Sequence, residues 1–341
     1  MWMASTYWPA GPTAWYGAVG MALALALAMW IDHRFGEPPA ALHPVVWMGN
    51  YLQACGRLIV RCAPAPAFVL GSLAWCLGAV VVGALAWGLQ VVAFWQLSQW
   101  GARLILENMI YGLLLFSLMT WLLKAMLSWR MLRDEVAAVD SALQQSLGAG
   151  RQRLAMLVSR DTSQLDASEI RESAIESLAE NLNDSVVAPI FWFVLFGLPG
   201  AAVYRFANTA DAMWGYRGLR HGVNWEWAGK WAARADDVLS WLPARITALL
   251  LGLVAGGLSI KTLMLEARKT PSPNSGWPMA AMALALGVCL RKPGVYVLHE
   301  AGRSPQGRDT ATALKHASKV VLAQVLCAQE AIIMIATMTY L

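Results

Sequence analysis

The chain has 341 residues, of which 58% are hydrophobic and only 14% charged, and its formal net charge is +5. This composition is typical of a polytopic membrane protein and excludes an ordinary soluble domain. Because the sequence holds no Lys/Arg-rich run and no nucleic-acid motif, we expect the positive charge to orient the chain and bind anionic ligands, without a nucleic-acid partner.

The N-terminal third predicts three long apolar helices, at about Tyr16 to Ile31, Phe68 to Trp95 and Asn108 to Leu123. The Ala-rich first helix imitates a signal-peptide core. No basic segment precedes it and more spans follow, so we expect it to be retained. The loop after it carries four charged or titratable residues, which we expect on one side of a functional cavity: Asp32, Arg34, Glu37 and His43.

Basic residues accumulate after the third span: Arg130, Arg133, Arg151, Arg153 and Arg160. The positive-inside rule therefore places this connection in the cytoplasm and the N-terminus outside. Met131 to Leu147 has the pattern of an amphipathic helix that packs under the membrane surface, ended by Gly148 and Gly150. We expect a cytoplasmic helical insertion over about residues 130–184 within a single membrane-embedded domain, 1–341.

An acidic helix completes this insertion. Asp166 and Glu169 have the spacing of a capping box, so a helix is predicted from about Ala167 to Asn181. Three carboxylates recur at spacing four and form one stripe: Glu172, Glu176 and Glu180. Two interpretations are open, a solvated face or a stripe that meets cations across a cavity.

The acidic helix leads into an apolar segment, Ser185 to Tyr204, that contains Gly197, Pro199 and Gly200. Because irregular backbone at membrane depth needs protein or a wet cavity around it, we expect a broken or re-entrant helix. A second polar group follows this segment: Asn208, Asp211, Tyr216 and Arg217.

The C-terminal part predicts a Trp-rich interfacial stretch and then an apolar helix at about Val238 to Leu258. Asp236 and Asp237 lie at the mouth of this helix, and Arg245 lies inside it, where it pairs with either Asp237 or a phosphate. Met279 to Leu290 is too short to span. A basic connection, Arg291 to Lys319, leads into a last helix that opens at Gly307.

Several common catalytic patterns are absent. The five cysteines are scattered without C-x-x-C spacing, so neither a disulfide framework nor a zinc site is expected. The sequence contains no G-x-x-x-x-G-K-[ST], G-x-G-x-x-G or H-E-x-x-H, which excludes a standard phosphate loop, a dinucleotide fold and a zincin.

Four separated motifs occur in order along the chain. They are Asp32 with Phe35-Gly36-Glu37-Pro38 and His43-Pro44-Val45; Glu180-Asn181 with Asp184, Val187-Ala188-Pro189, Asn208-Thr209, Asp211, Met213 and Gly215-Tyr216-Arg217; Asp236-Asp237 with Pro243-Ala244-Arg245; and Pro273-Asn274-Ser275-Gly276 with Trp277-Pro278 and Ala280-Ala281. Together they resemble the CobD/CbiB family of adenosylcobinamide-phosphate synthases, over about residues 16 to 335.

The resemblance implies an ATP-dependent acid–amine ligase of cobalamin biosynthesis. Such an enzyme joins adenosylcobyric acid to (R)-1-amino-2-propanol O-phosphate and yields adenosylcobinamide phosphate. It also implies magnesium as a cofactor beside ATP, a corrinoid and an amino-alcohol phosphate as ligands, and lipid around the protein. A second copy of the chain and other corrinoid-assembly enzymes remain open as partners.

The expected roles follow from this reaction. Magnesium takes carboxylate and amide oxygens, which are supplied by Glu180, Asp184, Asp211 and Asn181. Arg217 and Arg245 receive phosphates, with further substrate contacts from Asn208, Tyr216, Asn274 and Ser275. The expected catalytic groups are Asp236, Asp237, Glu176 and His43, with either Asp236 or Asp237 as general base.

The sequence thus predicts an all-α, multi-pass protein of the cell inner membrane, with broken or re-entrant helices, cytoplasmic connecting helices and an active site on the cytoplasmic side. Two other classes of protein share part of this pattern. A transporter uses broken helices and intramembrane acids, but inverted repeats are absent. A non-catalytic AmpE-like membrane sensor is the alternative, and the presence of Asn208-x-x-Asp211 and Pro273-Asn274-Ser275-Gly276 disfavours it.

Overall fold

The computed structural model describes residues 12–98, 106–220 and 222–340. Helices make up most of this part of the chain. In chain order they are α1 (Pro12–Phe35), α2 (Pro44–Ile59), α3 (Pro64–Ser98), α4 (Leu106–Ala125), α5 (Trp129–Gln145), α6 (Leu147–Leu154), α7 (Ala167–Leu182), α8 (Ala188–Trp214), α9 (Lys230–Leu239), α10 (Trp241–Val254), α11 (Ile260–Ala267), α12 (Gly276–Leu286) and α13 (Gly307–Tyr340). A 3₁₀ turn covers Ala40–Leu42 and a π turn covers Asn183–Val187.

Extended structure in the described residues is limited to two short antiparallel hairpins. Strand β1 (Leu219–Arg220) pairs with β2 (Val223–Asn224), and β3 (Leu290–Lys292) pairs with β4 (Tyr296–Leu298). In the second hairpin Leu290 lies opposite Leu298, and Lys292 lies opposite Tyr296. The predicted all-α class is therefore confirmed, but the sequence patterns did not predict either hairpin.

Five helical stretches of the described chain are long and apolar enough to cross a membrane, and a sixth results if α9 and α10 together form one span. The five are Gly17–Phe35, Pro64–Gln96, Glu107–Gln145, Ala167–Trp214 and Gly307–Met338. The polytopic architecture is confirmed. The sidedness and the choice of membrane remain predictions.

The described residues form two compact units. Unit A is drawn from Met1–Ser128, Pro189–Leu239 and Val325–Leu341, and unit B from Trp129–Ala188 and Ser240–Gln324. The helical insertion predicted over about 130–184 lies in unit B, together with a long C-terminal stretch that the sequence did not connect to it.

In unit A, α1 packs against α3 and α4, and α3 also contacts α2 and α9. The Ala-rich sequence of α1 explains its close packing, because Ala18, Ala24 and Ala28 are completely buried. Small side chains let helices of a membrane protein approach closely. The resulting van der Waals contacts stabilise the packing, because the hydrophobic effect does not drive helices together in lipid.

In unit B, α7 packs against α5, α6, α12 and β3. The predicted apolar face of α5 is confirmed, since four of its residues are buried: Leu132, Val136, Val139 and Leu143. The predicted end of this helix at Gly148 and Gly150 is wrong. The helix ends at Gln145, and Ser146 then caps α6 by accepting the Ala149 N–H at 3.0 Å, so both glycines lie inside α6.

The break predicted in the apolar segment is found at Gly197, whose backbone is non-helical with φ +68°. Pro199 follows two residues later, where a residue without an N–H fits the start of the continuing helix. The Leu198 N–H is freed by the break and donates to Oε1 of the buried Gln90 on α3, at 2.7 Å. Gln90 therefore satisfies the backbone group that the break exposes, which an apolar environment requires.

The apolar helix predicted near Val238 to Leu258 is found as α10, but its ends differ. The chain bends by 45° between α9 and α10, at Ser240, so Val238 belongs to α9. Pro243 explains the later start, because proline is tolerated in the first turn of a helix. The short apolar helix predicted from Met279 to Leu290 is α12, but it ends at Leu286, where Gly287 adopts a positive φ, and Leu290 begins β3.

Candidate active site

The acidic stripe is positioned by the start of α7. The carboxylate of Asp166 accepts the N–H groups of Ser168 and Glu169 at 2.7 and 2.9 Å, and Glu169 Oε2 accepts the Asp166 N–H at 2.8 Å. This is the predicted capping box, with both reciprocal bonds present. Because it fixes where the helix begins, it also fixes which side of α7 carries Glu172 and Glu176.

Cations do lie opposite the stripe. Arg291 donates to Glu172 through its side chain at 2.8 and 3.2 Å and through its backbone N–H at 2.9 Å. Arg160 Nη2 lies 3.7 Å from Glu176 Oε2. Glu172 is 0% and Glu176 6% exposed, so the interpretation of the stripe as a solvated face is wrong for these two carboxylates.

A polar pocket of about 190 Å³ opens beside the stripe within unit B. Its charged and polar lining contains three predicted site residues and three that were not predicted as such: Glu176, Glu180, Asn181, Arg160, Lys292 and Tyr296. The carboxylates come from α7 and the cations from the chain around Arg160 and from the β3–β4 hairpin. We refer to this site as the polar pocket.

Two buried atoms of the polar pocket lack a hydrogen-bond partner in the described part of the chain. Glu176 Oε1 and Arg160 Nη1 are buried and have no hydrogen-bond partner among the residues that the structure describes. The hydroxyl of Tyr296 is also partly buried, and burial together with the carboxylates of Glu176 and Glu180 raises the pKa of Tyr296, so it stays a proton donor. The pocket thus offers both anionic and cationic groups at close range.

A second arrangement in unit B organises the Pro273–Gly276 motif. The Arg245 guanidinium lies over the rings of Trp241 and Trp277, with its Cζ 4.3 and 4.8 Å from the ring centres. Arg245 donates to Asn274 Oδ1 at 2.9 Å and to the Pro273 carbonyl at 3.2 Å. The two predicted residues Arg245 and Asn274 are therefore brought together, and Arg245 holds the loop that carries Asn274.

In unit A, the predicted polar residues after the broken segment meet the end of α9. Asn208 Nδ2 makes a long contact of 3.5 Å with Asp236 Oδ1, and Arg217 acts electrostatically on Asp237. The carboxylate of Asp211 lies over Gly215, where a Cβ would overlap Asp211 Oδ1. Only glycine fits at this position, which explains the first residue of the Gly-Tyr-Arg motif.

A buried ionisable cluster, also in unit A, joins the loop after α1 to α4. Lys124 Nζ lies 3.2 Å from Asp32 Oδ1 and 3.0 Å from Glu37 Oε2, and His43 Nε2 contacts the same Glu37 oxygen at 2.9 Å. His43 Nδ1 accepts the Val45 N–H at 3.3 Å, so both ring nitrogens are engaged. Burial alone would raise the pKa of Glu37, but His43 and Lys124 outweigh it and hold that pKa below its usual value.

The predicted site residues thus divide between the two units. Unit B holds Glu176, Glu180, Asn181, Asp184, Arg245, Asn274 and Ser275, whereas unit A holds His43, Asn208, Asp211, Tyr216, Arg217, Asp236 and Asp237. A single site formed by all of them remains a prediction. In the π turn that precedes α8, Asp184 accepts from Asn183 Nδ2 at 2.7 Å.

The described residues contain no group of three or more His, Cys, Asp or Glu side chains arranged around a metal ion. Magnesium nevertheless does not need such a cage, because it commonly binds one or two carboxylates together with substrate phosphate oxygens and water. Glu180 and Asn181 line the polar pocket and supply a carboxylate and an amide oxygen. These donors fit a magnesium ion that a phosphorylated substrate brings with it.

Five charged or polar residues of these clusters were not predicted as site residues: Lys124, Arg160, Arg291, Lys292 and Tyr296. Arg160 was counted only among the basic residues that orient the chain in the membrane. Lys124 is a lone charge at the end of an apolar run, and an ionisable residue in that position usually has a functional or structural partner inside the protein. The structure shows it completely buried. The other three lie on the β3–β4 hairpin, and no periodic pattern marks this hairpin in the sequence.

Comparison with known proteins identifies the family. A family profile described as "CobD/Cbib protein" matches residues 25–323. The chain is 40% identical to a "Probable cobalamin biosynthesis protein CobD" of Methanothermobacter thermautotrophicus over 80% of this chain and 85% of the relative, and 39% identical to the protein of that name in Pyrococcus furiosus over 86% and 93%. The "Cobalamin biosynthesis protein CobD" of Photorhabdus laumondii is 34% identical over 80% and 84%. No solved structure matches the chain. On this evidence, the chain belongs to the CobD/CbiB family.

Proposed function

We propose that this protein acts in cobalamin biosynthesis as an ATP-dependent acid–amine ligase. It joins a propionate carboxylate of adenosylcobyric acid to the amine of (R)-1-amino-2-propanol O-phosphate, and adenosylcobinamide phosphate, ADP and phosphate are the products. Family membership supports the pathway. The polar pocket supports the reaction class, because two carboxylates, an arginine and a lysine line it. Two of its buried atoms, one from Glu176 and one from Arg160, have no hydrogen-bond partner among the described residues.

The proposed chemistry has two steps. A carboxylate is a poor electrophile, so its oxygen first attacks the γ-phosphorus of ATP, ADP leaves, and an acyl phosphate forms. The amine then attacks the acyl carbon, the C–N bond forms and phosphate leaves with one former carboxylate oxygen. The amine must lose a proton on the way, and a carboxylate of the protein accepts it.

The phosphoryl step needs groups that balance negative charge as it moves. Magnesium, when bound, neutralises charge on the phosphate oxygens. In unit B we assign its protein ligands to Glu180, Asp184 and Asn181. In unit A, the metal role of Asp211 and the phosphate contact of Arg217 remain predictions. Candidates for the proton acceptor are Asp236, Asp237 and Glu176.

Other predicted residues receive roles that follow their contacts. Arg245 holds the loop on which Asn274 and Ser275 are placed to contact substrate, since its guanidinium already donates to that loop. His43 uses both ring nitrogens within its own cluster, so we assign it to positioning of the Glu37 loop. Substrate contacts of unit A are assigned to Asn208 and Tyr216.

We place the protein in the cell inner membrane with the polar pocket open to the cytoplasm, because ATP is supplied there. The function is tested by incubating the purified protein in detergent with adenosylcobyric acid, aminopropanol phosphate, ATP and magnesium. We expect a corrinoid product of the mass of the amide, together with ADP, only when all four are present. A corrinoid of unchanged mass under these conditions contradicts the proposal.

A further inference from the structure

The contents of the polar pocket show an unusual balance of charge. Two acidic and two basic side chains line it, namely Glu176 and Glu180 against Arg160 and Lys292. A site for a simple anion or a simple cation would carry an excess of one sign. A balanced pair of opposite charges instead complements a ligand that itself carries both signs.

The volume limits the size of this ligand. The pocket measures about 190 Å³, below the roughly 300–1,000 Å³ of sites that enclose drug-sized molecules. One small polar molecule fills such a space, whereas a nucleotide or a corrinoid would place only one end of the molecule in it.

The buried atoms indicate which end of the ligand lies where. Glu176 Oε1 lacks a hydrogen-bond partner in the described structure although the side chain is only 8% exposed, so this carboxylate has room for a cationic donor. Arg160 Nη1 is likewise buried and available, because the Arg160 Nη2 atom is the one that donates to Ser173 and approaches Glu176. Lys292 and the Tyr296 hydroxyl line the same space. The hydroxyl contacts the Glu176 carboxylate and Met279 Sδ in this structure, and it would turn to an anionic oxygen group once Glu176 receives the ammonium.

We infer that the polar pocket binds the amino-alcohol phosphate, with Glu176 receiving its ammonium and Arg160, Lys292 and Tyr296 receiving its phosphate. This inference rests on the proposed function and names the residues that select this substrate. The β3–β4 hairpin contributes Lys292 and Tyr296, and the paired Arg291 fixes this hairpin to α7. Glu180 lines the same pocket and keeps its proposed role as a metal ligand.

Calorimetric titration of the full-length protein in detergent, without ATP or corrinoid, tests the assignment with three ligands. They are (R)-1-amino-2-propanol O-phosphate, 1-amino-2-propanol without the phosphate, and isopropyl phosphate without the amine. We expect the complete molecule to bind the wild-type protein at least roughly tenfold more tightly than either fragment, since each charged contact contributes about one or more factors of ten.

Two substitutions separate the two ends of the ligand. Lys292→Met should weaken binding of the complete molecule about tenfold and leave the affinity for 1-amino-2-propanol within about twofold. Glu176→Gln should weaken the complete molecule similarly and leave isopropyl phosphate unchanged. Lys261→Met, which alters an exposed lysine outside the pocket, is the matched control and should change none of the three affinities.

Unchanged affinity for the complete molecule in both Lys292→Met and Glu176→Gln overturns the inference, and so does equal wild-type affinity for isopropyl phosphate and the complete molecule. Tyr296→Phe removes only a hydroxyl and gives a second test of the phosphate end: it should weaken the two phosphate-bearing ligands several-fold and leave 1-amino-2-propanol unaffected. Glu176→Asp, which shortens the reach of the carboxylate, tests the ammonium end if Glu176→Gln does not fold, and it should weaken the complete molecule but not isopropyl phosphate.

The binding experiment contains no ATP and is therefore independent of the ligation assay. If ligation is observed but the substitutions leave binding unaltered, only this inference is contradicted. If the expected binding pattern is observed but no ligation occurs, only the proposed function is contradicted.

Discussion

Arg291 and Glu172 form a three-point contact between residues that lie 119 positions apart in the sequence. The Glu172 carboxylate is completely buried and accepts from the backbone N–H, Nε and Nη2 of Arg291, and it raises the pKa of this arginine. Because Arg291 belongs to β3, the contact fixes the β3–β4 hairpin on α7. It thereby brings Lys292 and Tyr296 to the polar pocket.

This contact predicts a stability loss for Arg291→Met, since a completely buried carboxylate would lose its charged partner and keep only the backbone N–H of residue 291. We expect the free energy of unfolding to fall by about 3 kcal/mol, which is the lower end for a broken buried ion pair because the Arg291 side chain is 45% exposed. The unfolding temperature should fall by roughly 5–10 °C. Tryptophan fluorescence during heating in detergent measures it. Arg268→Met, on an exposed arginine of the same unit, is the control. An equal effect of both substitutions would show that the contact adds no stability.

The break at Gly197 predicts a different pair of effects. Gly197→Ala places a Cβ against the Gln90 amide and in a backbone conformation that is essentially restricted to glycine and costs about 1–3 kcal/mol for an L-residue, so it should lower the unfolding temperature and the yield of folded protein. Gln90→Leu should do the same, because the Leu198 N–H then lacks its acceptor. Gly88→Ala, at a glycine of α3 with open space around it, should have no such effect. If Gly88→Ala is as harmful as Gly197→Ala, the break is not the cause.

The stacking of Arg245 predicts that its shape matters as well as its charge. Arg245→Lys keeps the charge but loses the planar fork that joins Asn274 and the Pro273 carbonyl. We expect faster amide hydrogen exchange in residues 270–276 and a higher KM for a phosphate-bearing substrate. Unchanged exchange together with a raised KM would mean that Arg245 binds the substrate directly and does not act through the loop.

The Glu37 cluster predicts a pH dependence. A carboxyl whose pKa lies below its unfolded value, here 4.5, stabilises the fold fully above that value and loses this contribution as the pH falls through the folded pKa. The difference in unfolding temperature between wild type and Glu37→Gln should therefore be largest near neutral pH and shrink below about pH 4.5. Glu107→Gln, at an exposed carboxyl of unit A, serves as the reference. A wild-type advantage that grows on acidification would contradict the ion-pair account.

The features predicted correctly from sequence are those that local spacing controls. The capping box of Asp166 and Glu169 set the start of α7 to the residue, and the pair Gly197 and Pro199 marked the broken span. The need for cations opposite the stripe also followed from like charges at spacing four. Each of these inferences uses residues within one or two helical turns.

The features missed are those that long-range packing decides. Arg291 reaches Glu172 from 119 residues away, and Gln90 reaches Leu198 from 108 residues away, and neither partner lies in a pattern with a fixed spacing. The bend at Ser240 was not predicted, because the apolar run around it has the pattern of one continuous helix. Pro243 is the local indication of a helix start at this point, since proline is tolerated in the first turn of a helix. Lys292 and Tyr296 reach the polar pocket only because the β3–β4 hairpin packs on α7, so the sequence alone did not predict them as site residues.

The most direct test of the central claim follows oxygen atoms from the corrinoid to the phosphate. Adenosylcobyric acid labelled with ¹⁸O in the reacting carboxylate is incubated with the protein, ATP, magnesium and aminopropanol phosphate, and the released phosphate is analysed by mass. Activation of the carboxylate by ATP predicts that each phosphate released with the amide product carries one labelled oxygen. Unlabelled phosphate, or amide formation that does not require ATP, would contradict the account.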